Sequence, residues 1–278
     1  MIFRDFIFIL KHATNRFCVF SFAAYGALWT VIESVSAFDS QLKPTGAIEY
    51  GVLVLLSLTV GAWKAWPSKH IEICIPISDS SVVVEFGDIF SKEGCIAIQV
   101  NEFFDSLLGD HVSPQTLHGQ FIRDVLGGQS ASFDALVESA LAGVPHEVVQ
   151  RRSGNSRRYK IGTTASVDVN SKRYLLFAFA KTDIVTLKAY ATLHEFWDAL
   201  SGLWEVARVR SNGNPIFVPL IGTGLSGVGL PERYLLELLI LSFVYHTKKN
   251  KISKQVTIVL HPSLRRMIDL KSIKLGEQ

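Results

Sequence analysis

The stretch Ile216-Phe-Val-Pro-Leu-Ile-Gly222-Thr-Gly224-Leu-Ser-Gly227-Val-Gly229-Leu-Pro231-Glu232 reads as an apolar strand, a turn with four glycines and the start of a helix. Glycine opens left-handed backbone conformations and leaves no side chain between main-chain N–H groups and an anion. Pro231 suits the first turn of the following helix, whose unpaired N–H groups and dipole favour negative charge. The segment is therefore a candidate phosphate cradle between a strand and a helix. No Gly-Lys-Ser/Thr makes it a Walker A loop, and its spacing and late position depart from the Gly-x-Gly-x-x-Gly dinucleotide fingerprint. A strand-to-helix turn that holds no ligand is the other reading of the loop alone.

The segments around the loop set the fold class. Runs at 71–77, 82–86, 95–100, 174–180, 215–220 and 255–260 are rich in β-branched residues, and several are apolar at every position, as strands covered on both faces must be. Helical patterns occupy 115–126, 132–142, 189–208, 232–246 and 263–270. Strands alternating with helices predict an α/β fold, a three-layer α/β/α sandwich spanning 71–278. Internal repeats and low-complexity tracts are not evident.

Residues 1–70 have a different character. The chain is 278 residues long and 48% hydrophobic, enough for one ordinary domain and an addition. No charge occurs from Phe17 to Ile32, and the run extends to Phe38 if Glu33 is accepted. A helix over 17–38 would be about 33 Å long, enough to cross a hydrocarbon core of ~30 Å. A second apolar run, 47–66, follows a short polar turn containing Pro44, so the two predict a transmembrane helical hairpin. A cleaved signal peptide and a buried soluble hairpin are the competing readings; the absence of a small-x-small cleavage site weighs against the first, and Trp29, Trp63 and Trp66 against the second. Arg4, Lys11 and Arg16 precede the first span and Lys64 and Lys69 follow the second, while the turn carries Lys43 beside Asp39. That asymmetry places both termini in the cytoplasm of a cell whose plasma (inner) membrane the chain crosses twice. Glu33 and Glu49 fall at similar depth near the outer end, either reaching the headgroups or ringing a pore mouth in an assembly of hairpins. Cys18, Cys74 and Cys95 lack CxxC or His spacing, so neither a disulfide framework nor a metal site is expected.

Two further strands end in polar groups. Gly87-Asp88-Ile89 leaves the run at 82–86, and its carboxylate can accept from the exocyclic amine of an adenine. Val100-Asn101 closes the next run, where an amide can both donate to and accept from ribose hydroxyls. By themselves, Asp88 is also an ordinary turn residue and Asn101 a strand-end cap.

With the glycine loop, these pieces resemble the macrodomain, a fold that binds ADP-ribose, over residues 71 to the C-terminus. Gly87-Asp88-Ile89 looks like the family's adenine-side turn, Val100-Asn101 like the end of its Val-Asn-Ala-Ala-Asn segment near the distal ribose, and Pro219-Leu-Ile-Gly-Thr-Gly-Leu-Ser-Gly227 like its second phosphate loop. The chain departs from the pattern after Asn101, where Glu102-Phe103-Phe104-Asp105 replaces the small residues, and Ser113-Pro-Gln-Thr116-Leu-His118-Gly119-Gln-Phe121 stands in place of a Gly-Gly-Gly-Val loop. That variant is similar to the divergent macro-like domain of Thoeris antiviral-defence effectors. The hairpin ahead of it resembles the membrane-anchored form of type II systems.

The resemblance implies a nucleotide-binding effector without catalysis. A TIR-domain partner would convert NAD to an ADP-ribose-derived signal, implied to be histidine–ADP-ribose. The effector would oligomerise on binding it and disrupt the bilayer, producing abortive infection. Asp88 and Ile89 would then meet adenine, and Gly222, Thr223, Gly224, Leu225, Ser226 and Gly227 the diphosphate. Asn101, Glu102 and Asp105 would lie near the distal ribose or its substituent, and Thr116, His118 and Gly119 at the other phosphate loop. His118 is equally well read as a capping or packing residue. An ADP-ribosyl hydrolase tethered to the membrane is the alternative, although the sequence shows no paired base at a recognisable spacing. The basic stretch from Arg151 to Lys160 reads as a hairpin around Gly154-Asn155, and with a net charge of +3 and no interleaved aromatics a nucleic acid is not expected as partner.

Overall fold

The computed structural model describes residues 13–39, 44–109, 111–224 and 227–273. The chain divides into two compact units, Met1–Lys69 with Asp269–Ser272, and His70–Ile268 with Ile273–Gln278.

In the first unit, helix α1 (Thr14–Ser36) packs on helix α2 (Ala47–Ala65). Both are long and apolar enough to cross a membrane. Small residues make the close approach possible: Ser57, Gly61 and Ala65 recur every fourth position on α2 and are buried with Ser21 of α1. A Cβ on Gly61 would collide with Ser21 Oγ and lie 2.9 Å from the Phe17 carbonyl oxygen. Tyr25, Trp29 and Tyr50 stack with ring centroids 6.4 and 5.9 Å apart. The large apolar side chains Phe22, Val31, Leu55 and Leu56 remain exposed along the pair. Glu49 Oε2 accepts from the N–H groups of Thr45 (2.6 Å) and Gly46 (2.8 Å), so this carboxylate caps α2. Asp269 pairs with Arg16 at 2.5 Å, and Lys271 Nζ donates to the Lys64 carbonyl at 3.0 Å. Arg4, Lys11 and Lys43 lie outside the described residues.

The second unit is built on strands β1 (His70–Ile75), β2 (Ser80–Phe86), β3 (Cys95–Asn101), β4 (His146–Val148), β5 (Arg157–Tyr159), β6 (Thr164–Val169), β7 (Lys172–Thr182), β8 (Ala189–Tyr190), β9 (Ile216–Pro219) and β10 (Gln255–Leu260). Its helices are α3 (Leu117–Gln120), prolonged by a wider turn at Phe121–Val125, α4 (Ser130–Ala140), α5 (Leu193–Arg210) and α6 (Glu232–Lys249). The main sheet has the order β1-β2-β10-β9-β3-β7-β6, with β8 on the end of β7, and β4 and β5 form a separate ribbon. Strands β2, β10, β9, β3 and β7 are parallel, while β1 and β6 join antiparallel at the edges.

The core lies on both sides of β3 and β7. Tyr174, Leu176 and Ala178 point with Ile96, Ile98 and Val100 toward Phe133 and Val137 of α4. The alternate position Phe179 meets Phe196 of α5 at 6.3 Å, and Trp204 of α5 packs edge-on against Phe243 of α6 at 5.4 Å while donating to Ser242 Oγ. Period-two alternation with helices on both faces gives the three-layer α/β/α arrangement that the sequence predicts.

Several elements differ from expectation. The segment 189–208 begins as the short strand β8, and its helix starts at Leu193, where Thr192 and Glu195 form a capping box. Residues 263–270 do not form one helix but two 3₁₀ turns, Pro262–Arg266 and Leu270–Ser272. The basic hairpin is wider than a Gly-Asn turn: its strands are β4 and β5, with 149–156 as the loop. Strand β6, whose Thr-Ala-Ser-Val-Asp-Val is weakly apolar, was not expected at all.

Candidate functional site

The five parallel strands end on one edge of the sheet, and an α/β sheet presents its ligand crevice beyond those ends. A cavity of about 450 Å³ opens there, between the ends of β3 and β7, the turn 109–118, the loop 187–189 and Gly224. Backbone irregularity shapes it. The β3–β7 register shifts between Val100 and Asn101, a bulge that redirects Asn101 at the cavity wall.

Asn101 anchors a tight buried turn. Its Oδ1 accepts from the N–H groups of Phe103 (3.2 Å) and Asp105 (3.1 Å), and its Nδ2 donates to Asp105 Oδ2 (2.9 Å). Phe104 within this turn sits at φ 51°, a left-handed conformation unusual for an aromatic residue, and is fully buried. The Asn101 amide that the sequence assigns to ribose hydroxyls is thus already engaged, although the residue lines the cavity.

Asp105 stands behind that wall. It is completely buried, and its oxygens take Arg151 at 2.9 and 3.1 Å and the Asn155 N–H at 2.8 Å in addition to Asn101. It holds the turn and the loop 149–156 together and is absent from the cavity lining. Glu102 is also elsewhere: its carboxylate, buried and hydrogen bonded to Thr182 N–H at 3.2 Å, opens on a second cleft of about 500 Å³ with Arg158, Lys181 and Glu195. Burial pushes its pKa up, opposed by the Thr182 N–H and by Arg158 and Lys181.

The turn replacing the Gly-Gly-Gly-Val loop is built by its own side chains. Thr116 caps α3, accepting from Gly119 N–H at 3.1 Å and donating to the Ser113 carbonyl at 2.8 Å. Gly119 is required by close approach, since a Cβ there would collide with the Ser113 carbonyl oxygen and lie 2.7 Å from Pro114 Cα. His118 is buried with its ring 5.0 Å from that of Phe133, and it lines the cavity with Thr116. Burial lowers its pKa to about 4 against the weaker raising effect of Asp105, so the imidazole is neutral at pH 7. Its Nε2 has no protein partner, nor has Gln99 Oε1, and both residues line the cavity.

The glycine loop follows β9. Of its four glycines only Gly222 (φ 79°) and Gly229 (φ 78°) use the left-handed region. Gly227 serves by close approach, a Cβ there lying 2.9 Å from the carbonyl oxygens of Gly222 and Gly224. Thr223 and Gly224 are exposed and Gly224 lines the cavity, whereas Thr223 does not; Leu225 and Ser226 lie outside the described residues. Pro231 stands at the N-cap of α6, one position earlier than the first helical turn.

Asp88 and Ile89 sit beyond the end of β2, at the other side of the crevice edge. Asp88 is exposed and its Oδ1 accepts from Phe90 N–H at 3.0 Å, capping a 3₁₀ turn, while Ile89 is buried in the core. Neither lines the cavity of about 450 Å³. Gln99, His111 and Lys188 do line it and were not singled out from the sequence. Gln99 was hidden inside a strand, and a loop lysine carries no pattern of its own.

A mixed sheet between helical layers, with a ligand-sized cavity at the carboxyl ends of its parallel strands beside a glycine loop, defines a macrodomain fold. The family model described as Thoeris protein ThsA, Macro domain, matches residues 82–261, and the chain belongs to that family. Thoeris protein ThsA of Bacillus amyloliquefaciens (strain Y2) is 25% identical over 217 residues, covering 74% of this chain and 71% of that protein. Among solved structures, an Oceanobacillus iheyensis macrodomain variant superposes with a TM-score of 0.50 at 14% identity, covering 73% of this chain and 95% of that one. A second variant of the same macrodomain, solved with ADPR, gives a TM-score of 0.50 at 13% identity and the same coverage. These structures share the fold.

Proposed function

We propose that this protein is a membrane-anchored receptor of Thoeris defence, in which residues 1–70 form a transmembrane hairpin and 71–278 bind an ADP-ribose-derived signal. The observation that carries the binding reading is the pair of buried polar atoms without partners, His118 Nε2 and Gln99 Oε1, at a cavity bounded by the glycine loop. Unpaired buried polar groups are costly, and a polar ligand that meets them removes the cost. The glycine loop supplies N–H groups suited to a diphosphate. The signal is proposed to be histidine–ADP-ribose made by a TIR-domain protein. Its binding favours an assembled state of several copies in which the hairpins disrupt the inner membrane, with both termini cytoplasmic and the cell lost. Ligand drives this only by as much as it prefers the assembled state. Glu33 and Glu49 are the acidic groups of the two helices toward the outer end, with Asp39 in the turn between them; Glu49 also serves as the helix cap described above.

The reading is of a receptor and not an enzyme. Among the described lining residues the titratable side chains are His111, His118 and Lys188, and a histidine with a pKa of about 4 is a weak base at pH 7. The test is calorimetric titration of the detergent-solubilised full chain with ADP-ribose, NAD and histidine–ADP-ribose, with mass analysis of each mixture. Tight binding without product is expected. Release of a product, abolished by Asn101→Ala, would instead make the protein a hydrolase.

A further inference from the structure

We infer that Lys188 is a specificity residue, which reads an anionic group that the ligand carries beyond the ribose next to Asn101. The inference rests on the receptor reading of the cavity and adds to it the charge of the terminal group.

The order of strands makes the crevice edge a ruler. Asp88 follows β2, the glycine loop follows β9, Asn101 ends β3, and the loop 183–188 follows β7. Neighbouring strands lie about 4.8 Å apart, so the end of β7 is one step past Asn101, on the side away from the glycine loop. A ligand laid with its diphosphate at the glycine loop and its ribose at Asn101 therefore presents whatever the ribose carries to residues 187–189, which form the cavity wall there.

Among its described residues the cavity wall carries one formal charge. Lys188 is the only Lys, Arg, Asp or Glu among the described lining residues. Asp105, the nearest buried carboxylate behind Asn101, is consumed by Arg151 and does not reach the cavity. Lys188 is exposed and has no ion pair among the described residues, so a cation at the mouth of the cavity attracts an anion and disfavours a cationic group.

The loop that carries Lys188 is organised before any ligand arrives. Asp183 Oδ1 accepts from Val185 N–H (2.9 Å) and Thr186 N–H (2.7 Å). The main chain closes through Leu187 N–H to Asp183 O (2.8 Å) and Asp183 N–H to Lys188 O (3.0 Å). Leu187 takes φ 58° to complete the turn, after which β8 pairs back onto β7. The position of Lys188 is thus fixed at its backbone, and only its side chain needs ordering on binding.

The experiment compares three probes on the full chain in detergent: ADP-ribose, histidine–ADP-ribose, and histamine–ADP-ribose, which lacks only the carboxylate of the second. Wild type is expected to bind the histidine conjugate about tenfold more tightly than the histamine conjugate, as one charge-assisted contact at a partly exposed site gives. Lys188→Gln should erase that preference, weakening the histidine conjugate about tenfold and ADP-ribose distinctly less, and Lys188→Arg should retain most of it. Raised salt should shrink the preference in wild type only. Equal weakening of all three probes by Lys188→Gln would assign Lys188 to the diphosphate and overturn the inference alone. A preference that survives Lys188→Gln would overturn it too. Failure of wild type to bind any of the three would overturn the receptor reading and this inference with it.

Discussion

Arg151 and Asp105 meet in a two-pronged ion pair, 2.9 and 3.1 Å, with 1% and 0% of their side chains exposed, across 46 residues of sequence. The guanidinium also lies 3.9 Å from the centroid of Phe103, whose ring has Arg158 at 5.3 Å. Asp105 in turn holds Asn101 at the cavity wall and the Asn155 N–H of the loop 149–156. A buried pair is a weak source of net stability, but breaking it leaves a carboxylate without its counter-ion. Arg151→Ala is therefore expected to cost about 3–5 kcal/mol of unfolding free energy, and Arg151→Ala with Asp105→Asn distinctly less than the sum of the two singles. Denaturant titration of the four proteins checks this. Additive losses would show that the two side chains act independently.

The same residues mark how far the sequence could be read. Strand β9, the glycine loop and helix α6 were legible because an apolar run, a glycine cluster and a helical pattern each act locally. The turn at Asn101 was half legible: the residue was found at a strand end, but its engagement with Asp105 depends on a bulge formed against β7. The Arg151–Asp105 pair was not legible, since nothing local tells a loop arginine which distant carboxylate it will meet. Glu102 follows Asn101 directly, yet it opens on the second cleft. Sequence proximity therefore assigned both to one site that tertiary structure separates. Residues 263–270 have a composition that suits a helix, whereas the chain forms two short 3₁₀ turns there, the first headed by Pro262.

Acid should destabilise the protein in two separable windows. His118 has a folded pKa of about 4, below its ordinary 6.5, because burial disfavours the imidazolium. The unfolded chain then binds a proton that the folded chain refuses, so stability is complete above about pH 6.5 and falls as pH drops toward 4. Glu195 has a folded pKa of about 2, below its ordinary 4.5, held down first by Lys181 and then by Thr192. Its contribution is present above about pH 4.5 and is lost as pH falls toward 2. Melting temperatures between pH 7 and 3 should show His118→Phe flattening the upper window only. Glu195→Gln should flatten the lower window while keeping the α5 capping box, since its amide oxygen can still accept from Thr192 N–H. An unchanged upper window in His118→Phe would show that the histidine is not the group responsible.

The glycine loop can be tested without touching its chemistry. Gly222 has φ 79°, and a Cβ there would lie 3.1 Å from Val228 Cγ2 and 3.3 Å from Leu235 Cδ2. Gly222→Ala should cost about 1–2 kcal/mol from the left-handed conformation and weaken ADP-ribose binding by displacing the loop. By contrast Gly109→Ala, at φ 101° but with nothing within 4 Å of a Cβ, strains the opposite wall of the cavity with no collision. Calorimetry on both separates a diphosphate at the glycine loop from one at the turn 109–118. Loss confined to Gly109→Ala would move the diphosphate to the latter.

In the hairpin, the spacing of the helices depends on Gly61. Its hydrogen atoms face Ser21 Oγ and the Phe17 carbonyl at a distance that no larger residue tolerates, and Ser57 and Ala65 continue the same contact line. Without water to drive apolar association, such close packing of small residues is what keeps two membrane helices together. Gly61→Leu should therefore part α1 and α2, whereas Gly51→Leu, where a Cβ meets nothing within 4 Å, should leave them in place. Disulfide trapping between cysteines introduced at Ala13 and Ala65, which are buried together where the two helices meet, in a background with Cys18, Cys74 and Cys95 replaced, reads the separation directly. Efficient trapping is expected in the Gly51→Leu protein and a marked loss in the Gly61→Leu protein. If trapping is equal in the two, the contact at Gly61 does not hold the hairpin, and the helices are kept together by the stacked rings of Trp29 and Tyr50 instead.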